Sequence, residues 1–123
     1  MKEIRLEFFL KTSPAVLFSR ISTPSGLAEW FADNVKETGK IFTFIWGSSE
    51  QKAVILTMVP NESITFRWLD MEPGYEFGFN IQQDELTGDV ALIVTDNIDE
   101  DDVEDTRNLW SSQVAKLKQM IGS

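Results

Sequence analysis

The chain has 123 residues, 42% of them hydrophobic and 25% charged, with no cysteine and no histidine. That length fits a single domain spanning 1–123 with a core of its own, while the missing residue types exclude thiol and imidazole nucleophiles, imidazole bases, thiolate or imidazole metal sites and disulfide frameworks. The net charge of −9 is concentrated in one place, since seven of the ten residues from Asp96 to Asp105 are acidic and elsewhere thirteen acids face eleven bases; with no basic patch to displace counterions, binding to nucleic acid or anionic lipid is not expected.

From Glu3 to Lys11, Ile4, Leu6, Phe8 and Leu10 alternate with Arg5, Glu7 and Lys11, the period of a strand with one buried face; Phe9 breaks the pattern and is assigned to the outer face. The same segment lacks the apolar core of a signal peptide, and no later apolar run approaches a membrane span, so a cytoplasmic protein is expected. Ser13-Pro14 and Thr23-Pro24 are helix-start signals. With Val16, Leu17, Phe18 and Ile21, then Leu27, Trp30 and Phe31, at helical spacing, two short helices are predicted within residues 13–32.

A meander of strands follows. Phe42, Phe44 and Trp46 share one strand face, and Gly47-Ser48-Ser49 forms a turn. Lys52 to Val59 is a second strand, closed by Pro60-Asn61. Ile64, Phe66 and Trp68 alternate with Thr65 and Arg67, which places Arg67 on the outer face, stacked or ion-paired there. Tyr75, Phe77, Phe79 and Ile81 alternate in turn, with Gly78 read as a strand bend or bulge. Val90, Leu92 and Val94 form the last strand. Short turns between successive strands imply an antiparallel order.

The period then changes from 2 to about 3.6. Val103, Trp110, Val114, Leu117 and Ile121 make the apolar stripe of one helix of about twenty residues, which Gly122 can end. So long an amphipathic helix needs a large apolar face to cover, and the sheet supplies it. The predicted class is α+β, a curved antiparallel sheet with a long C-terminal helix across it.

This order of elements resembles the helix-grip arrangement of the START-like and birch-pollen-allergen-like (SRPBCC) superfamily. Thr23-Pro24-Ser25-Gly26-Leu27-Ala28-Glu29-Trp30-Phe31 is similar to the Thr-Pro-x-x-Leu-x-x-Trp-Phe segment of proteins like the activator of the heat-shock-protein-90 ATPase, and Phe66-Arg67-Trp68 and Leu109-Trp110 are similar to the same branch. The resemblance implies a cavity between sheet and helix. It carries over no catalytic residue, metal or cofactor.

Nine Phe, four Trp and one Tyr supply the candidate cavity wall. The residues expected to line it are Phe31, Phe44, Trp46, Phe66, Trp68, Phe77, Phe79, Trp110 and Val114, acting through shape and desolvation on a small apolar ligand. The same aromatics could equally fill the space as solid core. Asp99 to Asp105 is expected to cap and charge the helix start, with a basic protein partner as the alternative role. A calcium loop is excluded in both possible registers. Counted from Asp96, its sixth and twelfth positions are Asp101 and Arg107; counted from Asp99, they are Glu104 and Trp110. Three functions remain open: a non-enzymatic binder of a small hydrophobic molecule, a co-chaperone-like interaction module, and, by fold analogy alone, a cyclase- or dehydratase-like enzyme, which would need a Glu, Asp, Tyr or Arg inside the cavity. Glu29 and Asp70 can be imagined as acid and base, but nothing in the sequence places them together.

Overall fold

A computed structural model describes residues 1–123. Seven strands form one antiparallel sheet in the order β1-β7-β6-β5-β4-β3-β2. They are β1 (Lys2–Leu10), β2 (Asn34–Thr38), β3 (Ile41–Trp46), β4 (Ser49–Val59), β5 (Ser63–Trp68), β6 (Glu76–Gln83) and β7 (Val90–Ile98); α1 (Pro14–Ser22) and α2 (Pro24–Leu27) follow β1, and α3 (Val103–Ile121) ends the fold. No helix is long and apolar enough to cross a membrane.

The helix starts form as their side chains dictate. Ser13 Oγ accepts from the Val16 amide at 3.2 Å and Thr23 Oγ1 from the Gly26 amide at 3.0 Å, each ahead of a proline in the first turn. The second helix is shorter than its spacing suggests. It stops at Leu27, whose carbonyl is shared by the amides of Trp30, Phe31 and Ala32, so Trp30 and Phe31 sit in turns rather than on a helix face. Gly26 permits α2 to lie against α1, since a Cβ there would fall 2.2 Å from the Ser19 carbonyl oxygen and 2.7 Å from the Arg20 Cα. Gly26→Ala should therefore displace α2 and cost about 1–3 kcal/mol or more; chemical denaturation that finds no loss would mean the two helices can separate freely.

Strand β2 escaped the sequence pattern. Only Val35 among its five residues is buried, and a polar edge strand with one inward side chain leaves almost no period-2 signal. Gly78 is also corrected: pairing runs unbroken through Thr65↔Gly78 and Gly78↔Thr95, so there is no bulge. A Cβ at Gly78 would meet Thr65 Cγ2 at 2.8 Å, so the glycine admits its threonine neighbour on the outer face. The register shift lies instead in β4, between Ile55 and Thr57, where an extra residue bends the strand.

The inner face of the sheet is an aromatic layer. Phe42, Phe44, Phe66, Phe77 and Phe79 are buried, and α3 lays Trp110, Val114 and Leu117 over the same core. Gly122 closes α3 in the left-handed region at φ 81°, donating to the carbonyls of Lys118 and Gln119. The acids before α3 charge its start without capping it: neither Asp99 nor Asp102 makes a side-chain capping bond, and a 3₁₀ turn, Glu100–Asp102, leads into the helix. Arg67 has no ion pair; its Nε is buried without a partner.

Candidate functional site

The turn after α2, the ends of β3, β5 and β7, and the first half of α3 enclose an open groove of about 710 Å³. All four tryptophans border it. Trp30 and Phe31 come from the turn, Trp46 and Trp68 from strand ends, and Trp110 from the helix. Phe31 is the hub, with its ring stacked on that of Trp110 at 5.4 Å and set edge-on to Trp46 at 5.5 Å and Phe44 at 5.0 Å. Such offset and edge-on pairs hold the wall rigid beyond what area burial supplies.

Hydrogen bonds fix three of the indoles. Trp30 Nε1 donates to the Arg20 carbonyl, Trp46 Nε1 to the Phe31 carbonyl, and Trp110 Nε1 to Asp96 Oδ2 at 2.9 Å. The Phe31 carbonyl also receives Gln113 Nε2, tying α3 to the turn. Trp68 Nε1 makes no hydrogen bond within the protein and Leu109 is more than half exposed, so the groove offers a free indole donor and an uncovered apolar side chain.

Of the nine residues proposed from the sequence, Phe31, Trp46, Trp68 and Trp110 line the groove. Phe44, Phe66, Phe77, Phe79 and Val114 lie beneath it in the packed core. The aromatic layer thus does both things the sequence allowed, core at the centre of the sheet and wall at its open end. Glu29 borders the groove but is ion-paired with Arg20, and Asp70 lies apart from it beside Glu50, Lys52 and Leu69. The structure does not bring these two carboxylates together.

The polar residue that matters here is Asp96. It continues the inward parity of Val90, Leu92 and Val94 along β7, and that parity was the available signal. Counted with the acidic run it looked solvated, but only Asp99 onward lies in the exposed stretch. Burial among the aromatic rings pushes its carboxyl up to about 6, partly opposed by the hydrogen bond from Trp110. Its second oxygen, Oδ1, receives no donor from the protein.

Asp96, Trp68, Thr106 and Leu109 also border a smaller recess of about 280 Å³, which Tyr75, Asp99, Asp102 and Asp105 complete. There the Tyr75 hydroxyl donates to Asp99, and that bond raises the phenol above its usual range.

A START-like superfamily domain profile matches residues 1–123. No curated protein matches the sequence. Among solved structures, BfR322 from Bacteroides fragilis is 41% identical, with a TM-score of 0.69 over 97% of this chain and 90% of its own. The Aha1 dimer from Colwellia psychrerythraea is 18% identical with a TM-score of 0.83, covering 98% of this chain and 96% of that one. DynU16, a protein of the dynemicin biosynthetic locus, is 17% identical with a TM-score of 0.83 over 98% of this chain and 47% of its own. At such identities the last two share the fold alone. With a profile match over its whole length and a matching fold, the chain belongs to the START-like superfamily.

Proposed function

We propose that the protein is a non-enzymatic binder that takes a small, largely apolar molecule into the groove between the sheet and α3. The observation carrying this reading is that all four tryptophans, together with Phe31, converge on one open groove of about 710 Å³. Aromatic walls with a few placed polar groups are what small-molecule sites generally present. The packed Phe44, Phe66, Phe77, Phe79 and Val114 beneath them leave no deeper chamber for a long acyl chain, so a compact, ring-sized body fits better. A catalytic reading would rest on Asp96 and would need a second ionisable group hydrogen-bonded to it; its partner is an indole N–H.

Two measurements test the reading together. Native mass spectrometry of protein purified from cells should reveal extra mass that is lost on denaturation. Titration of the purified protein with 1-naphthalenemethanol should move the indole N–H signals of Trp46, Trp68 and Trp110 in ¹H–¹⁵N spectra. A clean apo mass combined with unmoved indole signals at millimolar probe would overturn it.

A second reading has its own observation. Glu100, Asp101, Asp102, Glu104 and Asp105 are exposed and form no ion pair, a surface suited to a basic protein partner, in keeping with a co-chaperone-like module. Salt-sensitive retention of one partner by the native protein, lost in the Glu100→Lys/Asp101→Lys/Glu104→Lys variant, supports it; retention indifferent to both counts against it.

A further inference from the structure

We infer that the ligand of the groove carries a protonated amine, seated on the free carboxylate oxygen of Asp96 between Trp68 and Trp110. The inference rests on the binding function proposed above and names the chemistry that site selects. Three observations carry it.

The first is an unfilled acceptor. An ionised carboxylate accepts hydrogen bonds and donates none. Trp110 Nε1 occupies Oδ2, while Oδ1 has no donor from the protein and no Lys or Arg is paired with Asp96. A half-buried carboxylate with no counter-charge gains from a cation beside it, and an ammonium group supplies both the charge and up to three donors.

The second is the wall. Ring faces attract cations through their quadrupole, most strongly for tryptophan. Trp110 turns its N–H edge to Asp96, so Trp46 and Trp68 are the indoles of this groove that can offer faces to a cation. An ammonium group bonded to Oδ1 would lie among rings that favour it, and the apolar remainder of the ligand would cover Leu109 and the exposed parts of Trp46 and Trp68.

The third is the sign of the remaining charge. Around the groove, Glu29 is neutralised by Arg20, Asp33 is acidic, and Lys116 on α3 is the one unpaired base. The adjoining recess contributes Asp99, Asp102 and Asp105. A carboxylate or phosphate ligand would meet net negative potential at the Asp96 end, whereas an amine is drawn to it.

The test uses three probes with one body: 1-naphthalenemethylamine, 1-naphthalenemethanol and 1-naphthoate, titrated at pH 8 and followed through the indole signals. The amine should bind at least about tenfold more tightly than the alcohol, and the naphthoate more weakly than either. In Asp96→Asn, which keeps an acceptor for Trp110, the preference for the amine over the alcohol should fall to about onefold. Alcohol and amine binding equally to the native protein, or an amine preference that survives in Asp96→Asn, would overturn the inference while leaving the groove as a binding site. Failure of all three probes, together with a clean apo mass, would instead remove the binding function on which it rests.

Discussion

Asp96→Asn is expected to stabilise the protein by about 3 kcal/mol at pH 8 and to leave its stability nearly unchanged at pH 3.5. The carboxyl titrates near 6 when folded, against 3.8 as its ordinary value, and each unit of difference is worth about 1.4 kcal/mol. The folded pKa is the higher one, so between pH 4 and pH 6 the folded state holds a proton that the unfolded state has released. Stability from this group is greatest below pH 4, declines as pH rises and is fully lost above about pH 6. Asparagine has no charge to desolvate, so the gap between variant and native protein should open across that window. The groups near Asp96, namely Glu29, Asp33, Lys116, Asp99, Asp102, Asp105 and Tyr75, are common to both proteins, so their titration largely cancels in the difference. Denaturant unfolding at half-unit pH steps measures it. A gap that is flat from pH 4 to pH 8 would show that Asp96 is not desolvated. If the gap opens as expected, the native residue lowers the stability of its own fold, the behaviour of a group retained for binding rather than packing.

Phe44→Ala has the largest expected effect on folding itself. Phe44 is fully buried, with its ring against those of Phe31, Phe42, Trp46, Phe66, Trp68 and Phe77 at 5.0–6.2 Å. Its neighbours are themselves locked in pairs such as Phe66–Phe77 at 4.9 Å and Trp68–Phe77 at 4.8 Å, so they are poorly placed to collapse into the void. A loss of about 3–5 kcal/mol is expected, seen as a fall in Tm of roughly 12–20 °C for a chain of this size. Benzene should restore part of it by occupying the new apolar space. A loss below about 1 kcal/mol would mean that the aromatic layer repacks. Because Trp46 and Trp68 rest on Phe44, the same variant should also weaken naphthalenemethanol binding, although Phe44 does not face the groove.

Much of this architecture was legible in the residues. Alternation along β1, β3, β5, β6 and β7 and the stripe on α3 identify the inner faces correctly, because that face of each strand must leave water; in β7 Ala91 and Ile93 on the other face are buried as well. The sequence was mute where tertiary context decides. Val35 alone could not announce an edge strand, and the spacing of Leu27, Trp30 and Phe31 looked helical although the chain turns away after Leu27. The site was half legible: strand parity names the aromatic face, but only the path of the chain separates Trp46 and Trp68, at strand ends and open to the groove, from Phe44 and Phe66 one step inward. Asp96 was hidden by its neighbours in sequence. Its parity pointed inward, yet the acids after it made the whole stretch look like surface.

The pairing of β1 with β7 has a consequence for how the molecule is made. β1 is the first strand to emerge during synthesis, and its partner, Val90–Ile98, follows about eighty residues later. At the usual rates of translation the delay is of the order of 4–16 s, during which Ile4, Leu6, Phe8 and Leu10 have no strand beside them and no α3 above them. Strand β1 is thus the last to be enclosed, and its apolar face stays open to aggregation until β7 and α3 have been made.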